Sequence, residues 1–242
     1  HHPRTPAWPP RSAPRLFVTP ELSEGAVVPL EGPQAHYLAR VMRVVPGDAV
    51  ILCDDVTGEW AARVAEATKR EVLLAVAERL RPRESVPDLW LCPALLKKDR
   101  FDLVLGAAAI RPVLPRRCVA DKLNGERARS LVIEAAEQCA RTALPELAEP
   151  VKLAALLADW PEPRALFFAD ETGGAPAAAA FAAHSGPAAI LIGPEGGFDE
   201  AERAAIRAHP AARAITLGPR ILRGETAAVA ALGLWMASAG DW

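Results

Sequence analysis

Aromatic residues make up only 5% of the 242 positions, with a single tyrosine among them. No apolar run approaches the roughly 20 residues that a bilayer crossing needs, so the chain reads as a soluble protein without membrane partners. It also lacks any CxxC pair. Cys53, Cys92, Cys118 and Cys139 are scattered, with no histidine at ligand spacing. That argues against a zinc site and predicts buried, reduced thiols in a cytoplasmic protein. The opening "HHPRTPAWPPRSAPR" has charge and proline but no apolar segment of the secretory kind, and its two leading histidines are set aside from functional reasoning. A net charge of -2 decides nothing about nucleic acid by itself. What is abundant is alanine, valine and leucine. The 51% apolar content gives ample core for one large domain or two smaller ones.

Charge distribution says more than its sum. Lys97, Lys98, Arg100, Arg111, Arg116, Arg117, Lys122, Arg127 and Arg129 outnumber Asp99, Asp102, Asp121 and Glu126 in one stretch. This excess is either a phosphate-binding face or a solvated surface.

Residues 15–80 read as a compact β-rich unit. "RLFVTP", "AVILC", "EWAARVAEA" and "EVLLAVAERL" are short β-compatible runs separated by "PGD", "DDVTG" and "TKR". They suggest an antiparallel meander, although the last run also suits a helix. "AHYLARVMR" has helical spacing, with Tyr37, Leu38, Val41 and Met42 on one side. "RPRESVPD" (81–88) is the expected linker.

From residue 88 the texture becomes α/β. "LWLCPAL", "RPVLP", "ALFFAD", "AAILIG" and "AITLG" suit buried parallel strands. "GERARSLVIEAAEQCARTAL" predicts a helix with Leu131, Ile133, Ala136, Cys139 and Ala140 largely on one face and Asn124 as N-cap. "DEAERAAIRAH" predicts an amphipathic helix capped by Asp199, and "ETAAVAALGLWMASAG" a nearly all-apolar one. A parallel sheet of this kind binds ligands beyond the carboxyl ends of its strands.

Two strand–loop–helix units carry the chemistry. "LIGPEGGFDE" and "LGPRILRGET" each leave a strand through Gly-Pro, at Gly193-Pro194 and Gly218-Pro219. Glycine lets a ligand approach bare backbone, and proline stiffens the corner. Neither loop is a Walker A or a G-x-G-x-x-G turn, and Glu195 would repel a polyphosphate. A flat base with cationic groups fits better, as in S-adenosyl-L-methionine. Glu195 is then either a ligand contact or a carboxylate complementing the dipole of the next helix.

"LIGPEGGFDEAE", followed some twenty residues later by "LGPRILRGETAAVAAL", strongly resembles the RsmE family of SPOUT RNA methyltransferases. The likeness extends to "EAAEQCART" (134–142), "RPVLPRRC" (111–118) and "HYLARVMRVVPGDAV" (36–50). It covers the chain from about Arg15 onward. The resemblance implies a PUA-like RNA-binding β-barrel at 15–80 and a SPOUT methyltransferase domain at 88–242, an α/β domain with a parallel sheet and a trefoil knot. It implies a cytoplasmic homodimer that uses S-adenosyl-L-methionine to methylate N3 of a uridine in small-subunit (16S) ribosomal RNA, free or in the assembled subunit. No metal is required. The alternatives are a SPOUT enzyme acting on another RNA site, such as tRNA ribose, or a catalytically silent RNA-binding member.

By matching position, the resemblance places Leu191, Gly193, Glu195, Gly196, Gly197, Leu217, Gly218, Ile221 and Leu222 in the cofactor pocket. Arg220 and Arg223 would stabilise the anion that develops when the imide proton leaves, and Glu225 is the nearest carboxylate, or else a cap partner. Arg40, Arg43, Arg116 and Arg117 would meet RNA phosphates, with Gln138 and Arg141 at the target base or backbone; an ion pair of Arg141 with Glu137 is the structural alternative. His36, His184 and His209 read as packing or surface residues. Two departures stand out. Gly224 replaces the family's usual threonine, and Leu105 runs straight into Gly106 where the family has a longer helix.

Overall fold

The computed structural model describes residues 7–94, 106–116 and 125–242. Arg117, Cys118 and Asn124, the cluster Lys97–Asp102 and the join at Leu105 lie outside the described residues. The chain divides into two compact units, His1–Ser85 with Ala136–Leu144, and Val86–Ala135 with Pro145–Trp242.

The first unit is a curled five-stranded sheet. Its elements are β1 (Arg15–Phe17), β2 (Val27–Glu31), α1 (Gly32–His36), a π-helical turn (Tyr37–Val41), β3 (Ala49–Cys53), β4 (Gly58–Ala67) and β5 (Glu71–Pro82). The strand order is β1-β3-β4-β5-β2. β2 and β5 alternate inward and outward, burying Val28, Leu30, Val72, Leu74 and Val76 around one core. The "TKR" turn forms because the Thr68 hydroxyl accepts the Arg70 and Glu71 N–H groups at 3.3 and 3.1 Å. Gly58 is obligatory: a Cβ there would stand 2.2 Å from the Arg81 carbonyl oxygen.

Two expectations for this unit need correction. β1 pairs parallel with β3, so the sheet is not a pure antiparallel meander. "EVLLAVAERL" is strand and continues to Pro82, into the expected linker, because its partner β4 extends far enough to pair it. The helical spacing read from 36–43 is met by α1 and the π-helical turn, where Leu38 is fully buried and Tyr37, Val41 and Met42 stay 37%, 61% and 38% exposed.

Residues 136–144 belong to this unit through backbone contacts. The Phe17 N–H donates to the Glu137 carboxylate at 3.0 Å. The Glu84 carboxylate accepts the Thr142 N–H at 2.7 Å, and Asp55 accepts the Leu144 N–H at 2.8 Å. A buried Glu59 between Arg15 (2.7 Å) and Arg81 (2.6 Å) helps hold the ends of β1, β4 and β5 together.

The second unit contains β6 (Leu89–Pro93), β7 (Ala109–Ile110), β8 (Val113–Leu114), α2 (Gly125–Gln138), β9 (Glu146–Leu147), β10 (Val151–Lys152) and α3 (Leu153–Ala158). It continues with β11 (Ala165–Ala169), β12 (Ala175–Pro176), α4 (Ala177–Ala182), β13 (Ala188–Ile192), α5 (Glu200–Ala208), β14 (Ala212–Thr216) and α6 (Gly224–Ser238). Seven strands pair in parallel, in the order β12-β14-β11-β13-β6-β7-β9. "RPVLP" supplies β8 to a separate parallel pair with β10.

Both faces of the sheet are covered, which is why its central strands β6, β11 and β13 are apolar throughout. Phe167, Ile190, Ile192 and Ile215 pack with Phe181 of α4 and Leu232, Trp235 and Met236 of α6. Phe168, Ala189 and Leu191 face the other way, toward Leu153 and Leu156 of α3 and Ile206 of α5. The class expected from the sequence, an α/β domain with a parallel sheet and a smaller β unit, is the one observed.

Helix α2 stops at Gln138, where Ala140 turns to φ 55. Its buried face is Ala128, Val132, Ala135 and Ala136, one position away from the expected stripe, and Cys139 is exposed. Among the described residues Cys53 and Cys92 are the buried thiols, and burial pushes the Cys92 thiol up to about 12. His184 and His209 are half-buried against the rings of Phe167 and Trp160.

Candidate functional site

A cleft opens at the carboxyl ends of β13, β11 and β14, three parallel strands side by side with β11 in the middle. Each strand passes into an irregular loop there. β13 supplies Ile192, Gly193, Pro194, Gly196 and Gly197; β14 supplies Thr216, Leu217, Gly218, Pro219 and Arg220, with Ile221 and Leu222 following. The two Gly-Pro corners therefore share one sheet edge, as their common sequence pattern suggests.

Backbone conformation explains the glycines. Gly196, Gly197 and Gly218 have φ of 84, 78 and 105, values that side-chain-bearing residues avoid. A Cβ on Gly196 or Gly218 would meet nothing within 4 Å, so both leave bare backbone and free space. Gly193 has a packing reason instead, because a Cβ would press within 3.2 Å of the Phe198 ring.

The middle loop was not singled out from the sequence. After β11, Phe168, Ala169, Asp170 and Glu171 line the cleft. Asp170 is buried, and its backbone N–H donates to the Ile215 carbonyl of β14 at 3.0 Å. Its carboxylate accepts the Thr172 N–H and hydroxyl at 2.9 and 2.8 Å and the Arg207 Nε at 2.9 Å. Burial alone would raise its pKa, yet those hydrogen bonds and the Arg207 charge hold it below the ordinary carboxylate value. Arg203 of α5 reaches the same carboxylate at 3.7 Å and lines the cleft. The signal for this loop was present as "DETGG" directly after an apolar strand.

Helix α5 begins with a full capping box. Asp199 accepts the Glu202 N–H at 2.8 Å, and Glu202 accepts the Asp199 N–H at 3.1 Å. The buried Glu202 carboxylate also takes the Arg116 backbone N–H at 3.0 Å. The cap of this helix is thus supplied by Asp199 and Glu202, and Glu195 lies four residues ahead of it.

Of the expected cofactor residues, Gly193, Gly196, Gly197, Leu217, Gly218, Ile221 and Leu222 line the cleft. Leu191 and Glu195 do not. Strand alternation turns Leu191 into the core beneath α3 and α5, where it is wholly buried, and Ile192 takes the lining position. Glu195 is exposed and outside the lining.

Of the expected catalytic residues, Arg220 lines the cleft. Arg223 is the exposed N-cap residue of α6, without a side-chain cap bond, and Glu225 sits in that helix's first turn; both lie next to the lining residue Gly224. Arg116 is exposed in the second unit, and Arg40, Arg43 and Gln138 are exposed in the first. Arg141 is corrected: it is 7% exposed in the first unit, 3.9 Å from Glu84, and burial lowers its pKa. Its guanidinium is buried. Arg111, counted with the basic stretch, stacks 3.9 Å over the Trp90 ring.

The comparisons agree with this geometry. Residues 82–236 match the RNA methyltransferase domain family, and residues 30–76 match the RNA methyltransferase PUA domain. The chain is 32% identical over 255 residues to ribosomal RNA small subunit methyltransferase E of Mycobacterium bovis, covering 93% of this chain and 95% of the relative. It is 27% identical over 228 residues to the protein of the same name from Rickettsia conorii, covering 90% and 93%. The crystal structure of ribosomal RNA small subunit methyltransferase E from Neisseria gonorrhoeae, bound to S-adenosyl methionine, superposes with a TM-score of 0.82 at 27% identity, covering 93% of this chain and 97% of that one. With its three-loop cleft, its parallel sheet and matches across most of its length, the chain belongs to the RNA methyltransferase family.

Proposed function

We propose that this protein transfers a methyl group from S-adenosylmethionine to N3 of a uridine in small-subunit ribosomal RNA. The observation that carries the reading is the cleft, where three glycine-containing loops converge at one sheet edge with free space at Gly196 and Gly218. Those corners fit the cofactor: bare backbone can hydrogen-bond an adenine edge, and Leu217, Ile221 and Leu222 offer apolar cover for the ring. When bound there, the cofactor supplies an electrophilic methyl group.

The chain's own residues have three tasks. The cleft must hold the methyl donor in line with N3. The imide proton must leave, and the charge that develops on O2 and O4 must be met by fixed donors. Arg220 in the cleft and Arg223 beside it fill the last role, and Glu225 is the carboxylate nearest to them in sequence. Arginine is no base at neutral pH, so it acts on the anion.

RNA is held in part by the first unit, through Arg40, Arg43, Gln138 and the exposed Tyr37, and by Arg116 and Arg117 of the second. The substrate is the free RNA or the assembled small subunit, in the cytoplasm. We take the working form to be a homodimer. Among the described residues of the second unit the exposed large apolar ones are Ile221, Val229 and Trp242, 84%, 40% and 69% exposed, and Ile221 borders the cleft. Incubating the protein with labelled cofactor and small subunits lacking the modification, then mapping the label, tests the reading.

A further inference from the structure

The cleft contains a carboxylate that the reading above leaves unused. Glu171 follows the buried Asp170, and its Oε2 lies 3.8 Å from the point where a Cβ would stand on Gly197. It therefore leans over the β13 glycine loop from the neighbouring strand. The charge of Asp170 is taken up by Arg207 and Arg203. Glu171 is exposed and has no hydrogen-bond or ion-pair partner among the described residues. Arg203 and Arg220 also line the cleft, but Arg203 already lies between Asp170 and Glu200.

An uncompensated carboxylate beside a bare glycine turn favours a ligand that brings positive charge to that turn and disfavours an anionic one. Glu195 drew attention to this possibility from the sequence, but it stands outside the cleft lining, whereas Glu171 is within it. We propose that Glu171 binds the cationic portion of S-adenosylmethionine over Gly197, so that the middle loop, and not the "GPEGG" carboxylate, recognises the charge of the cofactor. This rests on the cofactor reading above. The cofactor carries two cationic groups, the sulfonium and the α-ammonium; the demethylated product S-adenosylhomocysteine keeps only the ammonium, and 5′-methylthioadenosine keeps neither. If the sulfonium is the partner, the same residue favours release of the neutral thioether after transfer.

Calorimetric titration of the parent and of Glu171→Gln with these three compounds tests the assignment. The substitution removes the charge and keeps the shape at an exposed position. Affinity for S-adenosylmethionine is expected to fall about tenfold, as for loss of one partly solvated charge pair, with 5′-methylthioadenosine binding and the melting temperature unchanged. S-adenosylhomocysteine weakening in parallel assigns the contact to the ammonium; unchanged product binding assigns it to the sulfonium; either upholds the proposal. Glu195→Gln is expected to leave all three affinities unaltered. Unchanged cofactor affinity in Glu171→Gln, or an equal loss for 5′-methylthioadenosine, overturns the proposal while the cofactor reading stands. A parent protein that binds none of the three overturns both.

Discussion

Arg207 of α5 clasps Asp170 at the end of β11, with Nε 2.9 Å from the carboxylate. The pair ties the helix that follows the β13 loop to the loop that follows the middle strand, and so fixes two walls of the cleft against each other. Asp170→Asn should destabilise the protein by about 2 kcal/mol at neutral pH, the order expected for a charge-assisted hydrogen-bond network left with one charged partner.

That loss has a definite pH dependence. The folded-state pKa of Asp170 is depressed, so its stabilisation is fully present above the ordinary carboxylate value of 3.8 and is lost as pH falls through the lower folded-state value. Denaturant curves of the parent and Asp170→Asn should therefore converge below about pH 4 and run parallel above it. A gap that widened with acid would contradict this role.

The glycine corners give a paired test. Gly218 and Gly186 have φ of 105 and 102, and a Cβ on either would meet nothing within 4 Å, but only Gly218 lines the cleft. Valine at either position should cost a similar 1–3 kcal/mol, roughly, in backbone strain. Only Gly218→Val should weaken S-adenosylmethionine binding, by more than about tenfold, the mark of a side chain placed in the ligand's space.

The same comparison shows why part of the site was legible from residues alone and part was not. Gly-Pro repeated after two apolar strands placed both corners at one sheet edge, because parallel strands deliver their loops to the same side. The intervening loop was missed because strand order is not sequence order: β11 lies between β13 and β14, and nothing local in "FFADETGG" says so. The side chain of Leu191 faces the core, since a strand's alternate residues face opposite ways and the period alone does not say which face meets the cleft. The α2 stripe slipped by one position because Val132 and Ala128 are no more apolar than Leu131 and Ile133. Arg141 looked like a nucleic-acid contact by its motif, yet Glu84, more than fifty residues earlier, draws it inward.

Catalysis should separate from cofactor binding at the arginines. Arg223→Ala and Arg220→Ala should each lower the transfer rate by about 10²–10³, the usual loss for one donor to a developing oxyanion. Cofactor affinity should stay within about tenfold of the parent by calorimetry. An equal loss of both quantities would make the residue a cofactor contact.

RNA affinity should respond to charge on the small unit. Arg40→Ala and Arg43→Ala should weaken binding of small-subunit RNA and each reduce the slope of log affinity against log salt by about 0.7–0.9, as when one phosphate contact is removed. Arg141→Ala should leave that slope unaltered and lower the melting temperature, because its guanidinium is buried beside Glu84. Filter binding across a salt series, with thermal denaturation of the same samples, distinguishes the two classes.

The central claim is decided by where the methyl group goes. Small subunits that lack the modification, incubated with this protein and methyl-labelled S-adenosylmethionine, should acquire label at a single uridine, and digestion to nucleosides should return it as 3-methyluridine. Label on a ribose, on a base carbon or in tRNA, or no transfer to any of these RNAs, would contradict it.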